Sequence, residues 1–189
     1  FVSKSNRDEY KLIVFGEEPR PAYDRVHLSA YFENQNAKAL ELAPASWYHK
    51  KGIELVIGQR VSDIKKEDKE IHTASGNAYK YDYLVLATGS VPFVPPISGV
   101  EKEGVFVYRT IADLEDMMAY ASQIKAIKPN GKAAILGGGL LGLEAGKAVL
   151  DMGLEPHVVE FAPKLMPRQL DTRSSNVLRL KLESMGIQV

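Results

Sequence analysis

The sequence AAILGGGLLGLEAG, residues 133–146, contains the spacing G-x-G-x-x-G at Gly137, Gly139 and Gly142. An apolar run typical of a strand precedes these glycines and a run typical of a helix follows them, which is the context that a dinucleotide-binding loop requires. In that context Gly137 permits a tight turn, Gly139 lets the backbone approach a pyrophosphate, and Gly142 lets the helix pack closely on the strand. The segment therefore predicts a strand–turn–helix unit with a dinucleotide site.

The helix start and the following strand supply the rest of that site. The amide hydrogens of Leu140, Leu141 and Gly142 are predicted to point at the phosphates, because a helix N-terminus favours negative charge. The next predicted strand, residues 156–159, ends at Glu160, 18 residues after Gly142, where an acid accepts hydrogen bonds from an adenosine ribose. A carboxylate there repels a 2′-phosphate, so the sequence predicts NADH over NADPH. Without a ligand, the glycines would form only a tight turn and Glu160 a solvated strand end.

Composition narrows the classes of function. Lys plus Arg and Asp plus Glu number 24 each, so the chain offers no overall charge for nucleic acid or an anionic membrane. The absence of cysteine removes disulfide scaffolds, thiolate metal sites and catalytic thiols, and the four histidines are scattered, so no metal ligand and no catalytic acid or base is assigned. No apolar run reaches the roughly 18 residues that span a bilayer, and the first residues do not resemble a signal peptide, so a soluble cytoplasmic protein is expected.

Hydrophobic periodicity predicts an α/β fold. The predicted elements before residue 109 are strands at 11–15, 53–57 and 83–87, a short helix at 46–51, and an antiparallel meander at 60–64, 70–74 and 78–81. The unbroken apolar run at 83–87 predicts a strand buried on both faces. Thr110 and Asp113 predict a capped helix, and from Lys132 strands and helices alternate, which predicts a parallel sheet. We place a domain boundary between Tyr108 and Arg109.

Two further stretches are candidates for a cofactor site. Residues 84–90, LVLATGS, end a predicted strand in small residues, although strand ends of this kind are common. Glu17 and Glu18 lie at the end of the first predicted strand, and Arg25 follows; together they could bind a ribose and a phosphate. From chemistry alone, a solvated acidic turn with a surface salt bridge is the favoured interpretation of that second stretch.

In combination, these motifs resemble the two-dinucleotide-binding-domain flavoprotein reductases, and within them the large subunits of assimilatory NAD(P)H nitrite reductases. The likeness rests on AYDRVHLS at residues 22–29, YRTI at 108–111, GGGLLGLE at 137–144 and EFAP at 160–163. The resemblance implies two Rossmann-like dinucleotide-binding domains, both incomplete, with the small meander between their motifs. Residues 1–108 would belong to the FAD domain and residues 109–189 to the NAD domain.

The resemblance also implies which residues meet FAD. Glu17 and Glu18 would bind its adenosine ribose side, and Arg25 would approach its phosphates or its ring system. The backbone at Val61 would meet the adenine.

A second group of residues would lie nearer the reacting rings. By resemblance, Ala87, Thr88 and Gly89 would pass beside the flavin dinucleotide, and Arg109 would reach it from the domain junction. Glu144 would face the nicotinamide end of NADH.

The resemblance further implies an activity and its partners. A hydride would pass from NADH to FAD, and electrons would go on to iron-sulfur and sirohaem centres that reduce nitrite to ammonia; we expect those centres in parts of a parent protein outside this chain. A small subunit and self-association are candidate interactions. The first FAD-domain strand, with its own G-x-G-x-x-G, is not among the 189 residues, and Ala30 stands where many relatives have Lys.

Two other functions share the same motifs. A stand-alone NADH-dependent flavoprotein of the ferredoxin reductase, rubredoxin reductase or NADH oxidase type would need the same dinucleotide loops. A non-catalytic module could bind the dinucleotide without turnover. Flavin content and the reduction of flavin by NADH separate these alternatives.

Overall fold

A computed structural model describes residues 9–189 of the chain. In chain order the elements are β1 (Leu12–Phe15), α1 (Tyr31–Asn34), α2 (Ala45–Lys50), β2 (Ile53–Val56), β3 (Val61–Lys65), β4 (Glu70–Thr73), β5 (Ala78–Lys80), α3 (Ile111–Ile127), β6 (Lys132–Leu136), α4 (Leu140–Asp151), β7 (Glu155–Val159) and α5 (Thr172–Ser184). Short 3-10 turns precede α1 and α2. These elements confirm the predicted α/β class.

The described residues form two compact units. The first unit contains the residues up to Arg25 and Asn36–Ser90, and the second contains Val26–Gln35 and Val91–Val189. These units divide the chain at positions other than the boundary predicted between Tyr108 and Arg109. The assignment of residues 1–108 to FAD and 109–189 to NAD stays a prediction. No helix within 9–189 is long and apolar enough to cross a membrane.

The first unit contains a parallel pair of strands and a meander. β1 and β2 pair in parallel from Leu12 opposite Ile53 to Phe15 opposite Val56. A parallel pair needs a crossover connection, and here it ends in α2, which Gly52 terminates at φ +65°. The strands β3, β4 and β5 pair antiparallel in that order, which confirms the predicted meander.

The prediction of a strand at residues 83–87 is wrong. These residues form no strand, and the side chains of Tyr83 and Val85 are 81% and 84% exposed. An isolated strand leaves its backbone N–H and C=O groups without ladder partners, and no described strand pairs with this segment. The residues are apolar, as a buried strand requires. A strand buried on both faces also needs neighbouring strands, however, and a local sequence pattern does not reveal whether they are present.

The second unit carries the predicted βαβ arrangement. β6 and β7 pair in parallel from Lys132 opposite Glu155 to Leu136 opposite Val159, and α4 connects them. Gln188 forms a parallel bridge to His157 and so occupies the position of a third strand beside β7. Alternate side chains of β7, Pro156 and Val158, are buried.

One hydrophobic core holds α4 and α5 against this sheet. Its buried members are Val158, Leu165, Leu182 and Ile187, and Ile135, Leu143, Leu150 and Leu178 pack against them. Leu165 belongs to the loop between β7 and α5, so the core extends beneath that loop. The same loop lies next to the glycine turn, which means that core packing positions the candidate site.

Candidate dinucleotide site

The glycine turn after β6 has the geometry that its residue types require. Gly137 has φ +113°, a conformation that favours glycine, and its amide donates to the Val159 carbonyl at 2.9 Å. A Cβ on Gly142 would lie 1.9 Å from the Gly137 carbonyl oxygen, so any other residue would push the first turn of α4 away from the loop. Gly142 is therefore needed for the close approach of helix and turn.

Gly139 faces open space, as Gly137 does and Gly138 and Gly142 do not. A Cβ built on Gly139 meets no atom within 4 Å. As the residue before α4, Gly139 also offers no side chain to cap the helix, so no N-cap side chain satisfies the first-turn amides of Leu140, Leu141 and Gly142. An anion at this helix start would meet amide donors and the positive end of the helix dipole.

Gly138 has a structural role that the spacing pattern does not identify. A Cβ at Gly138 would lie 2.5 Å from Cδ2 of Leu165 and 3.2 Å from Glu160. The Gly138 carbonyl accepts a hydrogen bond from the Met166 amide at 3.0 Å. The loop after β7 thus packs directly on the glycine turn. The run of three consecutive glycines was the available sequence signal, because the motif itself leaves the middle position unspecified.

Glu160 connects the tip of β7 to the glycine turn. Its Oε2 accepts from the Gly138 amide at 2.6 Å and its Oε1 accepts from the Ala162 amide at 2.8 Å. The hydrogen bonds from Ala162 and Gly138 hold the pKa of Glu160 below its ordinary value, because they favour the ionised form. Each carboxylate oxygen can accept more than one hydrogen bond, so acceptor capacity remains for ribose hydroxyls.

Glu144 lies in α4, and its charge acts on a tyrosine in the same unit. Burial raises the pKa of Tyr108 to about 12, and the charge of Glu144 adds to that rise. Phe32 stacks on the Tyr108 ring with centroids 6.1 Å apart. The neighbouring Arg109 donates its backbone amide to the Asp113 carboxylate at 3.1 Å. The charge of Glu144 is therefore close enough to Tyr108 to disfavour the ionised phenol.

Glu17 and Glu18, predicted to bind the adenosine ribose side of FAD, and Arg25, predicted to approach its phosphates or ring system, lie in the first unit. Glu18 pairs with Arg25 and also accepts from the Tyr23 hydroxyl at 2.8 Å. Arg25 donates to the Tyr23 hydroxyl at 2.6 Å, with its guanidinium 4.5 Å from the ring centroid. Glu17 makes a 3.3 Å ion pair with Arg60. The structure therefore brings Glu18 and Arg25 together in one network, whereas Glu17 forms a separate and more exposed pair.

The remaining predicted FAD residues of this unit are not gathered into that network. Val61 begins β3 and is half-buried, at a register irregularity of the meander. Ala87, Thr88 and Gly89 lie in the exposed segment without regular structure, where Gly89 has φ +67°. Their roles beside FAD stay predictions.

Comparison with known proteins shows the family to which the chain belongs. The family model for pyridine nucleotide-disulphide oxidoreductases matches residues 1–189. The nitrite reductase (NADH) large subunit of Escherichia coli is 46% identical over 188 residues, which cover 100% of this chain and 22% of that protein. The nitrite reductase [NAD(P)H] of Bacillus subtilis is 40% identical over 182 residues, covering 96% of this chain and 22% of that protein.

A solved structure shares the fold as well. A ferredoxin reductase from Rhodopseudomonas palustris superposes with a TM-score of 0.80 at 28% identity, covering 94% of this chain and 43% of the other. This likeness confirms the predicted architecture of the two-dinucleotide-binding-domain flavoprotein reductases. The chain spans about a fifth of the length of the two nitrite reductases that it matches, 22% in each case.

Proposed function

The chain belongs to the pyridine nucleotide-disulphide oxidoreductase family, and from that premise we propose that it is the FAD- and NADH-binding part of a nitrite reductase large subunit. The observation that carries the proposal is the hydrogen bond between the Gly138 amide and Glu160 at 2.6 Å, because it holds a ribose-binding carboxylate against the glycine turn. The identities of 46% and 40% to nitrite reductases support the choice among members of the family.

The residues proposed for FAD lie in the first unit except for Arg109, and those proposed for NADH all lie in the second unit. For FAD they are Glu17, Glu18, Arg25, Val61, Ala87, Thr88, Gly89 and Arg109; for NADH they are Gly137, Gly139, Leu140, Leu141, Gly142, Glu144 and Glu160. The family implies FAD and NAD(P)H, and the carboxylate of Glu160 favours NADH because it would repel a 2′-phosphate. Residues 1–108 as an FAD-binding domain and 109–189 as an NAD-binding domain belong to the same proposal.

These residues fit a role of binding and orientation. The cofactors supply the hydride and electron transfer when bound, and the protein sets their position and electrostatics. The first-turn amides of α4 would hold the pyrophosphate, Glu160 the ribose, and Glu144 would lie toward the nicotinamide. These 189 residues contain no cysteine, so they supply no redox dithiol of their own.

In the complete protein, electrons would continue to sirohaem and iron-sulfur centres that reduce nitrite to ammonia. A small subunit and self-association are part of this proposal, and a cytoplasmic location stays a prediction from the sequence. A second candidate function is electron transfer by a simpler reductase. It is favoured by 35% identity over 187 residues to the assimilatory nitrate reductase electron transfer subunit of Bacillus subtilis.

The test uses the complete protein, purified and kept free of oxygen. Its flavin absorbance should bleach on addition of NADH, and nitrite should restore the absorbance while ammonia forms. NADPH at the same concentration serves as the control for nucleotide choice. Bleaching without nitrite consumption would favour the simpler reductase, and a colourless protein that still binds NADH would favour the non-catalytic module.

A further inference from the structure

Phe161 is the most exposed large apolar residue near the candidate dinucleotide site. Its side chain is 106% exposed and follows Glu160 directly in the chain. The Glu160 carboxylate accepts from the Ala162 amide at 2.8 Å, so a side chain to backbone hydrogen bond closes the turn around Phe161. The Gly138 amide holds the same carboxylate from the other side at 2.6 Å. Phe161 therefore projects into solvent from a turn that is fixed at both ends.

Exposure of a single phenylalanine is common on protein surfaces. Phe161 is distinguished by its position beside Glu160. In the proposed complex, Glu160 binds the adenosine ribose hydroxyls, and the adenine is bonded to the ribose carbon next to the one that carries the 2′-hydroxyl. The base would therefore lie close to Glu160, and Phe161 is the next residue of the chain. That residue presents a flat, unpacked aromatic ring.

We propose that Phe161 binds the adenine ring of the dinucleotide by stacking, and so sets the affinity of the site for adenine nucleotides. The inference rests on the proposed function, because it places the ribose at Glu160. Aromatic side chains stack on any base through its π-face, so Phe161 contributes affinity without reading the amino group of adenine. The hypoxanthine analogue of NADH should therefore be accepted nearly as well as NADH.

Within the described part of the chain, two neighbouring side chains of this loop are engaged elsewhere. The Lys164 ammonium donates to the Leu170 carbonyl at 2.5 Å, which ties that cation to the far end of the loop. Leu165 is 2% exposed and belongs to the core beneath. Phe161 is thus an exposed apolar side chain of this loop that directly follows Glu160 in the chain.

The experiment measures binding of ADP-ribose and turnover of reduced nicotinamide mononucleotide by the complete protein. ADP-ribose carries adenine, ribose and pyrophosphate but no nicotinamide, whereas the mononucleotide carries the reactive ring and no adenine. The variants are Phe161→Ala, Phe161→Tyr and the matched control Phe93→Ala, in which an 85% exposed phenylalanine outside the proposed NADH residues is removed. All three keep the backbone amides, so the turn at Glu160 stays intact.

Phe161→Ala should weaken ADP-ribose binding about tenfold, in keeping with the usual effect of removing a stacked aromatic ring. Phe161→Tyr should restore the affinity, Phe93→Ala should leave it unchanged, and flavin reduction by the mononucleotide should be equal in every variant. Unchanged ADP-ribose affinity in Phe161→Ala would overturn the inference alone, as would an equal loss with the mononucleotide. Failure of the unaltered protein to bind ADP-ribose would overturn the proposed dinucleotide site together with the inference.

Discussion

The Glu160 carboxylate accepts a hydrogen bond from the Gly138 amide at 2.6 Å, and the two residues lie 22 positions apart in the chain. This contact joins the end of β7 to the turn that follows β6. Glu160 therefore does two things at once: it shapes the loop that would hold the pyrophosphate, and it presents the acceptor that would hold the ribose. Substitutions at this residue should change both properties.

Glu160→Gln should weaken NADH binding about tenfold, because an amide oxygen is a weaker acceptor than a carboxylate and the amide nitrogen cannot accept from a backbone N–H. The preference for NADH over NADPH should narrow, because the negative charge that repels a 2′-phosphate is removed. Titration calorimetry with both nucleotides measures these effects. Glu183→Gln, which removes an ion pair to Arg179 on α5, is the matched control and should change neither affinity. Equal affinities in Glu160→Gln and the unaltered protein would remove Glu160 from the ribose site.

The stability that Glu160 contributes should depend on pH. The folded-state pKa of Glu160 lies below its ordinary value, so the ionised carboxylate stabilises the folded protein above the ordinary pKa of about 4.3. That contribution is lost as the pH falls through the lower folded-state pKa. The thermal midpoints of the unaltered protein and of Glu160→Gln should therefore differ most near pH 7 and converge as the pH falls through the folded-state pKa of Glu160. A constant difference across this range would contradict the assignment.

Gly142→Ala and Gly139→Ala should have opposite consequences. Alanine usually stabilises a helix relative to glycine, but a Cβ at Gly142 would lie 1.9 Å from the Gly137 carbonyl, so this variant should lose about 2 kcal/mol or more of stability. Gly139 has φ −81° and no atom within 4 Å of an added Cβ, so Gly139→Ala should fold normally and bind NADH more weakly. Thermal unfolding and NADH titration of both variants make the comparison. A stable Gly142→Ala protein would contradict the close approach of helix and turn.

The two residues of the capping box of α3 should show coupled effects on the free energy of unfolding. The Thr110 hydroxyl accepts from the Asp113 amide at 3.1 Å, and the Asp113 carboxylate accepts from the Thr110 amide at 2.7 Å. Thr110→Ala should cost about 1 kcal/mol of unfolding free energy. In a double-mutant cycle with Asp113→Ala the two losses should not add, because both belong to one cap. Ser122→Ala, in the exposed middle of the same helix, should cost less than about 0.5 kcal/mol.

Much of the fold could be predicted from particular local signals. Gly137 and Gly142 predicted the turn and the close helix packing, and Thr110 with Asp113 predicted the start of α3. The alternation in residues 60–81 predicted the meander. Each of these signals acts within a few residues, through a backbone angle, a side chain to backbone hydrogen bond or a two-residue period, so distant contacts were not needed to read it.

The features that the sequence did not predict depend on contacts between distant parts of the chain. Residues 83–87 have the composition of a buried strand but lie exposed, because burial depends on neighbouring strands and not on the segment itself. The motif leaves the position of Gly138 unspecified, although a Cβ there would collide with Leu165 and crowd Glu160. In both places the outcome depends on residues far along the chain.

The amino-acid sequence by itself determined the class of the fold, the glycine turn and the acid at the end of the following strand, because glycine conformation, helix capping and hydrophobic period are local properties. The tertiary structure alone decided that Glu160 binds the Gly138 amide, that Leu165 packs under the turn and that Phe161 is left exposed beside it. Hydrogen bonds and burial of this kind exist only after folding has brought separate segments within contact distance.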